Sequence, residues 1–189
     1  MADIICDELQ FEHVKYNIVN RDENIYSSCE CFIYSDNEEF VPIANLMRDY
    51  GCPTQKDIMP ILLNMGFKNE IDRMMLIDVI IGNLDRHSRN YGLIVVPETK
   101  EIKRFAPLFD HGNSYMINNH GFLNYPPTGM DFNHTIREMD LNTLRLANKI
   151  NLERVNDEIK RLPLEDDLKQ RIKTELSGRI EKIIRFSEK

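Results

Sequence analysis

Asn83-Leu84-Asp85-Arg86-His87-Ser88-Arg89-Asn90 is the stretch on which the fold and the chemistry of this chain turn. All but Leu84 are polar, yet they directly follow the most apolar segment of the sequence. Asn69 to Ile81 carries Ile71, Met74, Met75, Leu76, Ile77, Val79, Ile80 and Ile81, apolar nearly all round towards its end. That pattern predicts a central, buried helix, and Gly82 is a natural stop for it. Beyond Asn90 the period changes. Tyr91 to Val96 and Ile102 to Leu108 are short, apolar, β-branched runs flanking the turn-like Pro97-Glu98-Thr99-Lys100-Glu101, which predicts a β-hairpin within a mostly helical chain. A solvated surface loop would account for residues 83–90 taken alone.

Three features argue for more. Asp85 and Asn90 stand as D-x-x-x-x-N, the spacing of a kinase catalytic loop. In such a loop the Asp orients or accepts the proton of the attacking hydroxyl, and the Asn offers its carbonyl oxygen to a magnesium ion. Asp110-His111-Gly112, after the hairpin, is a D-x-G tripeptide of the DFG type, whose Asp binds magnesium between nucleotide phosphates. A turn centred near Thr99 runs the two strands back antiparallel, so Asn90 and Asp110 are expected at one end of the hairpin with Asp85 nearby. One Asp and one Asn suit magnesium, which takes few carboxylates and leaves room for phosphate and water.

Outward from this core, Ala2–Gln10 reads as a short helix, and Val14–Val19 and Ile25–Tyr34 as two strands joined by a polar turn. Ser35 to Glu39 is a polar break of linker type. Helices are expected at Ile43–Asp49, Lys56–Met65, Thr135–Asn148, Leu152–Arg161 and Glu165–Phe186. Residues 113–133, rich in Gly, Asn and Pro, are expected to form a long ordered loop. The four cysteines show no CxxC pair, which gives little support to structural zinc. Cys29 and Cys31, alternating around Glu30, are expected to be reduced thiols buried on one side of a strand.

The stretches "IGNLDRHSRNYGLIV" and "KRFAPLFDHGNS" resemble the C-terminal lobe of HipA-like kinases. That family carries an N-x-D-x-H-x-x-N catalytic loop and a later A-P-[LF]-[YF]-D segment. Here the matching residues are Asn83, Asp85, His87 and Asn90, then Ala106, Pro107, Leu108, Phe109 and Asp110. "DELQFEHVKYNIV" is similar to the family's helix-to-strand passage before its interlobe hinge. The resemblance implies an α+β, protein-kinase-like fold: residues 1–40 a partial N-lobe of one helix and two strands, residues 41–189 a helical C-lobe with a catalytic hairpin. It also implies ATP- and Mg2+-dependent phosphate transfer to a protein Ser or Thr, with Asp85 as base and Asn90 and Asp110 as metal ligands. His87 goes with Asn90 and Asp110 on the cofactor side, or braces the loop by hydrogen bonds. Arg86 either neutralises a phosphate or pairs with an acidic neighbour.

The rest of the kinase apparatus is not legible. No glycine precedes Gly51 and the only lysine before Lys56 is Lys15, so a glycine-rich phosphate loop and the strand Lys are not expected. Glu8 and Glu12 are candidates for the helix Glu. The chain reads as starting inside that helix, its partner being a protein substrate or a missing N-terminal kinase region. The competing account is a relic kinase lobe working through protein contacts in a toxin-antitoxin or regulatory complex. A phosphoinositide-kinase-like enzyme also uses D-R-H-x-x-N, but the Ala106-Pro107-Leu108 approach and the small size disfavour it. Composition fits a globular chain: of 189 residues 42% are hydrophobic and 29% charged. A net charge of -7 gives no reason to expect direct nucleic-acid binding. No apolar run is long enough for a bilayer, and the acidic start lacks a signal peptide's basic region, so the expected location is the cytoplasm.

Overall fold

The computed structural model describes residues 1–83, 85–112, 114 and 132–189. In chain order its elements are α1 (Ala2–Leu9), β1 (Tyr16–Arg21), β2 (Asn24–Cys29), β3 (Glu39–Pro42), α2 (Ile43–Asp49), α3 (Gln55–Asn64), α4 (Lys68–Ile81), β4 (Gly92–Val95) and β5 (Ile102–Phe105). There follow α5 (Phe132–Glu138), α6 (Leu141–Arg145), a 3-10 turn (Leu146–Lys149), α7 (Leu152–Arg161) and α8 (Asp166–Ser187). The fold class is α+β, as the sequence leads one to expect. The chain divides into two compact units.

The helical unit comprises Met1–Phe11, Asn69–Arg86 and Asp110–Lys189. Helix α4 is buried along almost its whole length: Leu76, Ile77, Ile80 and Ile81 are fully enclosed, each such side chain contributing about 1.5–3 kcal/mol. Helix α8 buries Ile172, Leu176, Arg179, Ile180 and Ile183, the stripe that helical spacing dictates. Helix α1 is fastened to α7 by Glu8, which pairs with Arg154 at 2.9 Å and accepts from the Asn151 amide at 3.1 Å. That engagement corrects the expectation for Glu8, since its carboxylate serves the start of α7. The single helix expected over Thr135–Asn148 is broken. Asp140 caps α6 by accepting from Asn142 at 2.7 Å, while its own amide donates to the buried Asp72 at 2.9 Å. A local cap plus a carboxylate from α4 outcompete continuation of the helix.

The second unit comprises Glu12–Lys68 and His87–Phe109. β1 and β2 form an antiparallel hairpin from Tyr16↔Cys29 to Arg21↔Asn24, and Ile18, Val19 and Tyr26 stand exposed on it. β3, β4 and β5 form an antiparallel sheet with β4 in the middle and fully buried. The expected hairpin is therefore present, but β3 is an addition: the polar break that begins at Ser35 runs straight into a third strand at Glu39. Leu108 was expected in β5. It instead makes a parallel bridge to His13, with Val14 donating to its carbonyl at 2.9 Å. The segment between β2 and β3 is tied to β5 by Arg104, which reaches Glu38 at 2.7 Å and the Phe32 carbonyl at 3.3 Å. Glu38 also accepts from the Tyr34 amide and pairs with Lys103. The Arg104 hydrogen bond, then that of Tyr34, holds its carboxyl at about 2, from an ordinary 4.5. Phe32, Phe40 and Phe109 pack as a triad with centroids 5.3–5.5 Å apart. Cys29 and Cys31 are exposed, not buried, because the strand ends at Cys29 and belongs to a hairpin open to solvent. Cys6 is the buried thiol, and burial raises its pKa.

The ordered loop expected over residues 113–133 lies outside the described residues except for Ser114, Phe132 and Asn133, and Phe132 already opens α5. Among the described residues no helix is long and apolar enough to cross a membrane.

Candidate active site

The D-x-x-x-x-N loop begins where α4 ends, and the end of α4 is built with care. Gly82 adopts φ 62°, a left-handed conformation that glycine enters without strain. The amide of Asn83 then folds back onto the Asp78 carbonyl at 2.9 Å, the six-to-one bond of a Schellman ending. Arg179 of α8 donates to the Val79 carbonyl at 3.0 Å, placing a buried cation on the negative end of the helix.

Asp78 itself is fully buried. Its carboxylate receives Arg86 Nε at 2.8 Å and Nη2 at 2.9 Å, a forked pair, and Asn83 Nδ2 at 2.8 Å. Asn83 Oδ1, at the other end of that amide, accepts from the Asp85 backbone N–H at 3.2 Å. Arg86 thus pairs with an acidic neighbour. Its guanidinium is 1% exposed and unavailable to a phosphate. Asp85 is exposed, its backbone held from beneath by groups that are not. Asp78 escaped sequence analysis because it looks like one polar interruption in an apolar run. The signal was its position: a lone carboxylate on the buried end of a helix needs a cation, and Arg86 lies a short loop away.

The chain leaves the helical unit between Arg86 and His87 and returns to it between Phe109 and Asp110. Asp85 and Asp110 belong to that unit, His87 and Asn90 to the other. Within the second unit His87 and Asn90 close a tight turn. Asn90 N–H donates to the His87 carbonyl, and His87 N–H donates to Asn90 Oδ1, both at 3.0 Å. His87 Nδ1 accepts from the Arg89 amide at 3.2 Å. Two residues on, Gly92 lets β3 approach so closely that a Cβ there would lie 2.3 Å from the Val41 carbonyl oxygen.

Asp110 has φ 58°. A side-chain-bearing residue in that region costs about 1–2 kcal/mol, and such strain gathers at functional sites. Among the described residues no three His, Cys, Asp or Glu side chains gather as a metal cluster. Magnesium does not require one, since it binds through one or two carboxylates plus substrate phosphates. Asn90 Oδ1, which accepts from His87 N–H, is the neutral oxygen donor that magnesium takes beside a carboxylate. The donor types fit the ion. A hollow of 530 Å3 between α5 and α8, lined by Arg137, Lys182, Arg185 and Phe186 among others, includes none of the motif residues.

No protein-family model and no curated protein sequence matches the chain. Solved structures do. The Helicobacter pylori proinflammatory kinase CtkA matches with a TM-score of 0.80 at 17% identity, over 98% of this chain and 84% of that one. HipA from Shewanella oneidensis MR-1, solved as a toxin-antitoxin complex with HipB and operator DNA, matches with a TM-score of 0.73 at 16% identity. The match takes in 99% of this chain and 55% of the HipA chain. Across so low an identity it is the fold that is shared, and that fold is the one of the HipA-like kinases.

Proposed function

We propose that this chain is a phosphoryl-transfer module of HipA-like type, moving the γ-phosphate of ATP to a protein Ser or Thr hydroxyl. The observation that carries the reading is Asp85: exposed, at the C-terminal end of a buried helix, with its backbone anchored on a fully buried ion pair. Preorganisation of this kind is what phosphoryl transfer asks of a protein, because the chemistry rests on positioning and electrostatics. Asp85 acts as the base. It takes the hydroxyl proton as that oxygen bonds to the γ-phosphorus and the bond to the bridging β,γ-oxygen breaks. Asn90 and Asp110 are the residues that would hold Mg2+, and His87 fixes the Asn90 carboxamide through the turn they share. Bound there, the ion would neutralise phosphate charge. Residues 1–40 are read as a partial N-lobe and 41–189 as the C-lobe.

With no glycine before Gly51 and a single early lysine, nothing recognisable clamps the triphosphate, so weak ATP binding and slow turnover are expected. The same observation favours a second reading: a non-catalytic module acting through protein contacts, as in a toxin-antitoxin or transcription-regulatory complex. Calorimetric Mg2+-dependent ATP binding and γ-phosphate transfer, measured on the wild type and Asp85→Ala, separate the two. Weak binding, with transfer reduced about 10²–10⁴-fold by Asp85→Ala, supports the enzyme. Transfer indifferent to Asp85→Ala, or a cellular phenotype that survives it, supports the second. Sub-micromolar ATP affinity would contradict the expected weak clamp.

A further inference from the structure

We infer that Asp78 is a positioning residue for Asp85 and that it acts through Asn83. The inference rests on the reading of Asp85 as the catalytic base and adds what sets its place. A carboxylate only accepts hydrogen bonds, whereas a carboxamide has a donating and an accepting end. With Asp78 on one side, Asn83 must turn its NH2 group inward, and that contact is 2.8 Å. Its carbonyl oxygen then faces the Asp85 N–H, which donates to it at 3.2 Å. The acceptor-only character of one buried group thus decides which end of the next faces the loop.

Asn83 has no freedom to respond otherwise. It is fully buried, and its own amide is pinned to the Asp78 carbonyl at 2.9 Å. Asp78 holds Asn83 by main chain and side chain at once. Arg86 donates to the same carboxylate at 2.8 and 2.9 Å and balances its charge. Because Arg86 directly follows Asp85, the forked pair also fixes the chain just after the base. Asp85 is therefore bracketed on both sides by groups whose orientation Asp78 dictates. All four residues lie in the helical unit, and none of the bonds involves the exposed Asp85 carboxylate.

The test uses the whole chain with two variants of the network. Asn83→Ala removes the acceptor of the Asp85 N–H and leaves the Asp78–Arg86 pair whole. Asp78→Asn replaces the acceptor-only group with one that presents either end to Asn83. Leu76→Ala, fully buried on the same helix but outside the network, controls for loss of stability. Two readouts are taken: hydrogen exchange of the Asp85 amide by NMR without nucleotide, and kcat against KM for Mg-ATP. A slowly exchanging Asp85 amide in the wild type and Leu76→Ala, exchanging at least ten-fold faster in Asn83→Ala, supports the inference. A fall in kcat of roughly 10²-fold at unchanged KM for ATP, as misplacement of a reacting group produces, supports it further. An Asp85 amide unprotected in the wild type, or equally protected in Asn83→Ala, overturns it whatever the transfer assay gives. An Asp85 amide as protected in Asp78→Asn as in the wild type overturns the part assigned to Asp78, and Asp78→Asn combined with Arg86→Leu, which removes the unbalanced cation, takes its place if the single variant does not fold. Absence of transfer by the wild type refutes the phosphoryl-transfer reading instead, and the exchange result still decides whether Asp78 orders the loop.

Discussion

Gly92→Ala is the substitution whose cost is most directly worked out. The added methyl would stand 2.3 Å from the Val41 oxygen, 2.7 Å from Phe40 Cε2 and 2.9 Å from Pro42 Cα. Ordinary carbon–carbon contact begins at about 3.5 Å, so something must retreat by roughly an ångström. Only the Phe40 ring is flexible. The other two atoms are backbone of β3, paired to β4 through Val41↔Leu93 and Pro42↔Gly92. Relief therefore means prising this end of β3 away, and with it the bond from Ile43 N–H to the Tyr91 carbonyl at 3.0 Å. Overpacking at such a site costs about 1–3 kcal/mol, and each bond lost adds about 1 kcal/mol. The sum, about 3 kcal/mol, lowers Tm by roughly 6–12 °C in a domain of this size. Thermal unfolding followed by circular dichroism reads it. Gly178→Ala serves as the control: on the solvent side of α8 its Cβ meets nothing within 4 Å, and it should raise stability by roughly 0.5–1 kcal/mol. A Gly92→Ala variant melting within 2 °C of wild type (~1 kcal/mol or less) would show that the close approach of β3 is not a constraint.

Other outcomes bear on the strained and charged positions. Asp110→Gly and Asp110→Ala both delete the carboxylate, and transfer should be abolished in each. The glycine variant should nonetheless be the more stable by about 1–2 kcal/mol in urea titrations, because φ 58° strains alanine but not glycine; equal midpoints would remove the case for stored strain. Glu38 titrates at about 2 when folded and 4.5 ordinarily, so its stabilising contribution is whole above pH 4.5 and is lost as pH falls towards 2. Acid unfolding of Glu38→Gln should thus differ from wild type at neutral pH and converge with it near pH 2, whereas a constant offset would point to lost packing and not charge.

The fold was legible where side-chain period and punctuation agree. The apolar run ending at Gly82, the Asn151-capped α7 and the long α8 all announce themselves, since a buried helix has few other ways to arrange such residues. β3 was hidden because Glu39-Phe40-Val41-Pro42 is too short and too polar at its start to alternate visibly; it is a strand only because β4 offers an edge. Asp140 ended a helix that periodicity would have continued, through a bond to Asp72 that lies 68 positions away. At the candidate site the motif residues could be read from spacing, but their supports could not. Asp78, Asn83 and Arg86 act through distances and orientations, and a string of letters holds neither. Arg179, fixed to Val79 across 100 positions, is out of reach of any local pattern.

That last contact has a bearing on how the protein is made. A ribosome delivers the candidate loop long before it delivers α8, so the Val79 carbonyl must wait for its guanidinium while a hundred further residues are synthesised. Until then the end of α4 lacks the cation that faces it in the finished molecule. Maturation of the loop is thereby deferred until residue 179 has been made, and a nascent chain cut short before it would carry every motif residue on an unfinished footing.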